Sequence, residues 1–404
     1  MTFLISPPPT TPLAAILPSE PLLLMGAGPV PIPQAVAQAN GMIINHLGPT
    51  MDRVIRNVKQ MAGYAFQTRS DKIIGLSGPA SAAMEMAVSN LCWPGRKVLC
   101  LSSGTFSARL GEMAVGVGAE VTYLEGPPGQ PITLAQVKEA FAKGRYDVIT
   151  MAHGETSCGL KLVELPEICK VAKENGALTI VDSVVTLTAM PVNMDEWGMD
   201  VSLTGGQKAL SSIPGVSLIA FSADAWSVIE RHPSPRPHWC YDATRAQKFW
   251  GSQQYHYTAP VPGVLALHEA LRLVAEETLE RRHRRHEMSS LALQRGLEAM
   301  GLTLFAPKEV RLNSVIAITL PDGVDSARVR EYMTKVFRVE ISGAFGLNVV
   351  RIGQMGEQCR SHNLFKTLYA MGMSFQREGV KLDVASGMAA LEEGLAGDRE
   401  VFVD

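Results

Sequence analysis

Lys208 stands in the stretch SLTGGQKALSSIPG (202–215), between a pair of glycines with Gln207 and an apolar run. A lone lysine is ordinarily solvated on a loop. It becomes a reactive amine only if the chain also supplies an anchor for a ligand and an acid. A candidate anchor is GLSGPASAAMEMAVSNL, where a strand is expected to end at Leu76, Ser77 to cap the following helix, and Pro79 to occupy its first turn. Unpaired N–H groups and the positive dipole end of a helix starting on so tight a turn make a cup for a phosphate. Taken alone, the segment is equally an ordinary strand–turn–helix junction. The candidate acid is Asp182, near the end of the apolar strand IVDSVV. A buried carboxylate is costly without a partner, which is an arginine, a capped helix or, in the chemically active case, a protonated ring nitrogen. Twenty-six residues separate Asp182 from Lys208, room for one connecting element and one further strand. Both groups can then meet at the carboxyl edge of one sheet, where open α/β sheets hold their ligands.

The elements that would position these residues are legible as alternating patterns. KVLCLSS (97–103), EVTYLE (120–125), DVITMAHG (147–154), ALTIVDSV (177–184) and VSLIAFS (216–222) read as buried strands, with SARLGEMAVGVG and LAQVKEAFAKG as helices between the early ones. That alternation predicts a doubly wound, largely parallel α/β sheet. The predicted organisation is a proline-rich arm over 1–21, a large domain over 22–275 and a smaller α+β domain over 276–404. With 404 residues, 46% hydrophobic, the chain has ample material for such cores.

Composition excludes several function classes. A net charge of −2 gives no general attraction to nucleic acid or anionic membranes. ERRHRRHE (280–287) lies inside a helical pattern with acids at both ends, so a solvated helix face is expected there rather than a nucleic-acid surface. GAGPVP opens like a dinucleotide loop, but Pro31 takes the place of its third glycine. Six dispersed cysteines without paired or metal-ligand spacing point to reduced thiols, no bound metal and a cytoplasmic setting. The first basic residue is Arg53, so no secretory or transit segment is expected; Pro and Gly interrupt the early apolar stretches, which excludes a membrane span. The closing VFVD carries no organelle address.

A phosphate cup, an acid for a ring nitrogen and a lysine for an imine are together what pyridoxal 5'-phosphate requires of a protein. The chain resembles the class V, fold-type I pyridoxal-phosphate aminotransferases, and within them the alanine–glyoxylate and serine–glyoxylate group. YAFQT, SGPASAAME, HGETSCG, VDSV, DEWGMDVSLTGGQKAL, YHYTAP and VRIGQMG occur in the family's order. The resemblance implies that Lys208 binds the cofactor covalently and that Asp182 partners its ring nitrogen. It implies that Ser77, Gly78, Pro79 and Gln207 hold the phosphate, that Phe106 stacks on one face of the ring and Val184 packs on the other, and that Thr156 reaches the ring hydroxyl. Tyr255 and Thr258 would reach the phosphate of a neighbouring subunit's cofactor, which implies a homodimer with composite sites. Arg351 matches the residue that grips the substrate carboxylate, with Gly28, Asn45 and His46 beside the substrate. The implied activity moves the amino group of a small amino acid, alanine or serine, to a 2-oxo acid, glyoxylate or pyruvate, by a ping-pong mechanism.

Several positions depart from the family pattern and leave the amino donor open. Pro79 replaces a small or polar residue, Asn45 a glycine, Gln354 a leucine or histidine, and Ile213 a proline. Pyridoxamine–pyruvate aminotransferases carry a glutamate in the place of Pro79, and ureidoglycine–glyoxylate aminotransferases a pocket glutamine in the place of Gly41. A lyase on the same scaffold, such as a cysteine desulfurase, would need a mobile-loop cysteine; Cys359 has neither the context nor the position.

Overall fold

Seven apolar runs assemble into one sheet in the computed structural model, which describes residues 5, 7–233, 235–252, 254–344 and 346–396. The strands are β1 (Ile73–Ser77), β2 (Lys97–Ser102), β3 (Glu120–Glu125), β4 (Val148–Ala152), β5 (Leu178–Asp182), β6 (Val201–Gly205) and β7 (Val216–Phe221), in the spatial order β1-β7-β6-β5-β4-β2-β3. Only β7 runs against its neighbours. The others run parallel, as the strand–helix alternation predicts. Helices α1 (Pro49–Phe66), α2 (Ala80–Leu91), α3 (Thr105–Gly116), α4 (Leu134–Lys143) and α5 (Leu165–Glu174) connect and flank the early strands. Strands β4, β6 and β7 are buried end to end, because a sheet covered on both faces needs continuous rather than alternating apolar sequence. The expectation that EVTYLE is buried fails: β3 has one neighbour only, and its Tyr123 is 40% exposed.

The long helical pattern after Pro260 divides at Thr278, whose φ of 67° breaks it into α6 (Val261–Glu277) and α7 (Leu279–Met300). A second core follows, in which Leu293 and Leu297 of α7 pack with Ile316, Ile352, Leu368 and Leu391. These belong to an antiparallel sheet of β8 (Val315–Thr319), β9 (Ser342–Gly343) and β10 (Val349–Gly353), and to helices α8 (Ser361–Arg377) and α9 (Val384–Ala396). Leu23 and Leu24 pair in parallel with Val339 and Glu340, and Met25 lies in this second core. The chain therefore crosses the smaller unit before it reaches Lys208.

The reading of ERRHRRHE as a solvated face holds for half of it. Arg281, Arg284 and Glu287 are exposed. Arg282, Arg285 and His286 are at most 3% exposed, against the expectation. Glu277, just before the helix break, makes this burial tolerable by pairing with both arginines.

Candidate active site

Two adjacent parallel strands, β5 and β6, end at the same edge of the sheet, with Asp182 registered opposite Leu203. Lys208 follows three residues after the end of β6, and its Nζ donates to the carbonyl of Ala27 on the entering segment. Burial, with help from the Arg351 charge and against the pull of Asp182, lowers this amine to about 8. A Cβ on Gly28 would fall 2.6 Å from Lys208 Nζ, and φ there is +99°, so only glycine fits beside the amine. Asp182 is 5% exposed; burial pushes its carboxyl up to about 7, while a 2.8 Å hydrogen bond from the Val184 N–H draws it down. Val184 is itself buried beside it.

The candidate anchor lies at the turn after β1. Gly78, at φ +138°, turns the chain after β1 and donates its N–H to Gly215 at 2.8 Å. Helix α2 begins at Ala80 with Pro79 as its N-cap, so the expectation that Ser77 caps the helix is corrected. The reversal at Gly78 places Ser77 one step too early, and its N–H instead meets the Tyr257 hydroxyl at 3.4 Å. Gly205 lies against this helix start: a Cβ there would fall 2.8 Å from Gln207 Oε1 and 3.4 Å from the Ala80 nitrogen. Among the described residues, that buried Oε1 has no hydrogen-bond partner.

Phe106 sits half-buried at the start of α3, with Arg109 stacked 4.9 Å from its ring centroid. The motif HGETSCG contributes a residue that sequence reasoning missed. Glu155, 2% exposed, accepts hydrogen bonds from the Phe106 and Ser107 amides, the Ser107 hydroxyl, and the Ser157 amide and hydroxyl at 2.5–3.2 Å. A carboxylate at a helix N-terminus meets both orphan donors and the positive dipole end. The following residue, Thr156, is buried, and its carbonyl accepts from Arg351 Nη1 at 2.8 Å. Arg351 also donates to the Gly343 carbonyl through Nε at 2.8 Å and through Nη2. A guanidinium has five N–H donors, and among the described residues these three bonds leave two for a ligand.

The remaining predicted residues lie farther out. Tyr255 is 64% exposed, and Thr258 and Asn45 are exposed as well. Asn45 Oδ1 accepts from the Leu47 amide at 3.0 Å, and the half-buried His46 ring meets Tyr255 edge-on at 5.9 Å. Among the described residues these contacts lead to one another rather than to Lys208. Of the departing positions, Gln354 is wholly buried between Ser289 and the Gly353 carbonyl, and Ile213 packs on Val36 and Ala266. Cys359 is fully buried, which pushes its thiol up to about 11.

The sheet order, with a lysine and an acid at one carboxyl edge, defines a pyridoxal-phosphate enzyme of fold type I. The aminotransferase class-V model matches residues 34–376, and the chain belongs to that family. It is 32% identical over 382 residues to the alanine–glyoxylate aminotransferase of Rattus norvegicus, covering 92% of each chain. The ureidoglycine–glyoxylate aminotransferase of Bacillus subtilis superposes with a TM-score of 0.91 at 28% identity, covering 94% of this chain and 99% of that one. The pyridoxamine–pyruvate aminotransferase of Mesorhizobium loti gives a TM-score of 0.90 at 25% identity, covering 94% and 98%. Class-V aminotransferases depend on pyridoxal phosphate, and the residues present fit that group. Gln207 Oε1, without a partner among the described residues, and the bare Gly205 lie beside a helix N-terminus, and the buried Asp182 carboxyl lacks a full countercharge.

Proposed function

We propose that the enzyme transfers the amino group of a small amino acid, alanine or serine, to glyoxylate or pyruvate in two half-reactions. The observation that carries this reading is the half-buried Lys208, its amine lowered to about 8, at one sheet edge with buried Asp182 and within the field of Arg351. Ser77, Gly78, Pro79 and Gln207 would hold the cofactor phosphate, and Phe106 and Val184 would flank its ring near Thr156. Bound there, the cofactor supplies an aldehyde carbon and an electron-withdrawing ring.

Every other role belongs to the chain. A lysine titrating near 8 is neutral in a useful fraction at physiological pH, so Lys208 can take the proton from the donor's Cα and would deliver it to the carbon that the cofactor's aldehyde supplies. Asp182, once faced by a ring nitrogen, regains the ionised form that burial opposes and holds a proton on that nitrogen. The two free donors of Arg351 grip the substrate carboxylate bidentately, which fixes the Cα–H bond relative to Lys208. Gly28, beside the amine, would line the approach, with Asn45 and His46 farther out. Tyr255 and Thr258, surface residues in one chain, would complete the phosphate site of a second copy in a homodimer. Pro79 offers no carboxylate to pyridoxamine, and Cys359, buried with a raised thiol, offers no sulfur acceptor.

The test is the visible spectrum of the cofactor-loaded protein as L-alanine, L-serine and other amines, including pyridoxamine, are added singly without an oxo acid. Bleaching by alanine or serine, restored by glyoxylate or pyruvate, is expected. Bleaching by neither, with a response to another amine, would replace this donor assignment.

A further inference from the structure

We infer that Glu277, Arg282 and Arg285 form a positioning cluster that holds the turn carrying Lys208 against the turn that follows Arg351. Glu277 Oε2 accepts from Arg282 Nη1 at 2.6 Å and from Arg285 Nη2 at 3.0 Å, and its Oε1 accepts from Arg285 Nε at 2.6 Å. One carboxylate thereby orients two guanidinium forks. The free end of each fork reaches a different segment: Arg282 Nη2 donates to the Ala209 carbonyl at 2.7 Å, and Arg285 Nη1 to the Gly356 carbonyl at 2.8 Å. Ala209 is the residue after Lys208, and Gly356 lies five residues beyond Arg351.

Five further contacts close the same link. The Gly356 amide donates to His286 Nε2 at 2.9 Å, which leaves Nδ1 as the protonated nitrogen, and Nδ1 donates to the Arg282 carbonyl at 2.7 Å. The two turns touch directly, for a Cβ on Gly356 would overlap the Ser211 hydroxyl. Ser211 is in turn tied to Lys208, its amide donating to the Lys208 carbonyl at 2.9 Å. On the far side of the second turn, Gln358 Nε2 donates to the Gly26 carbonyl at 2.7 Å, next to the Ala27 carbonyl that receives Lys208 Nζ.

Charge burial on this scale is a poor source of stability, since an apolar replacement of equal volume commonly does as well. What the forks supply is geometry: planar donors at fixed angles, reaching two carbonyls that belong to different turns. Lys208 must meet the Cα proton of a substrate whose carboxylate is fixed by Arg351, and a small misplacement between those two groups is costly in rate. The inference rests on Lys208 being the reacting lysine.

Arg282→Met is the informative variant because it strands no partner. Glu277 keeps the bidentate Arg285, and the Ala209 carbonyl keeps the Thr188 hydroxyl at 3.0 Å. In cofactor-free protein, hydrogen exchange at the amides of residues 209–212 should rise at least about tenfold. In the loaded enzyme with L-alanine and glyoxylate, kcat should fall about tenfold while KM for alanine stays within about twofold. Arg282→Lys, which retains charge and a single reach, should recover part of both effects, and it carries the same two readouts should Arg282→Met fail to fold. Wild-type exchange or wild-type kcat in either variant overturns the inference, as does a kcat loss matched by loss of bound cofactor. The exchange measurement needs no chemistry at Lys208, so an active Lys208→Ala enzyme would remove the catalytic reading without deciding the link between the turns.

Discussion

At the residue scale, burial moves Lys208 and Asp182 in opposite directions, the amine down to about 8 and the carboxyl up to about 7. Both shifts disfavour charge, so each group enters the site short of a partner. For Asp182 the consequence is a pH dependence of defined sign. With its folded value near 7 against an ordinary 3.8, the folded chain binds a proton more tightly than the unfolded chain. The stability of cofactor-free protein therefore falls as pH rises from about 4 to about 7, by as much as about 4 kcal/mol, and this contribution is level on either side. Asp182→Asn removes that slope. Urea unfolding of both proteins at pH 4.5 and 7.5 should show the wild type losing ground relative to the variant, and equal changes would mean that Asp182 titrates normally. In the loaded enzyme the same variant should retain cofactor yet lose most of its rate, because a neutral amide holds no proton on a ring nitrogen. Lys208→Ala should abolish transamination outright, and measurable single-turnover bleaching by alanine in that variant would remove Lys208 from the chemistry.

Elements decide how far such residues can be foreseen. Asp182 was legible because it closes an apolar strand, and Lys208 because it stands alone just after a pair of glycines. Glu155 was not, since its partners Phe106 and Ser107 sit some fifty residues earlier and only the pairing of β4 with β2 brings the two loops together. Arg282 and Arg285 looked like a solvated run because the acid that buries them stands across a break that an ordinary threonine makes at φ 67°. The helix cap shifted from Ser77 to Pro79 because a φ of +138° at Gly78 is a property of the turn, not of the residue pattern. Glu155 also permits a prediction at this scale. Glu155→Ala leaves the amides of Phe106, Ser107 and Ser157 without their acceptor inside the protein, a loss of about 3 kcal/mol. Glu155→Gln, which keeps one acceptor oxygen, should lose distinctly less in the same denaturant titration, and equal losses would show that charge rather than hydrogen bonding holds the start of α3.

For the whole molecule, the open question is where Tyr255 and Thr258 act. Both are exposed in the single chain, while Tyr257 between them turns inward to the Ser77 amide, so Tyr257 faces the turn of its own chain and Tyr255 and Thr258 face outward. If the outward pair completes the site of a second copy, two separately crippled proteins can repair each other. A Lys208→Ala chain still offers Tyr255 and Thr258, and a chain lacking those two side chains still offers Lys208. In the mixed dimer one site is doubly defective and the other has every wild-type residue. After full subunit exchange half of the dimers are mixed, so about a quarter of wild-type activity should return from parents that are each nearly inactive. If Tyr255 and Thr258 instead served their own chain, every site in the mixture would keep at least one lesion, and mixing would restore nothing. Size-exclusion chromatography of the mixture separates the two explanations of a null result, because a monomeric protein cannot complement and a dimer that fails to complement places both side chains outside the partner's site.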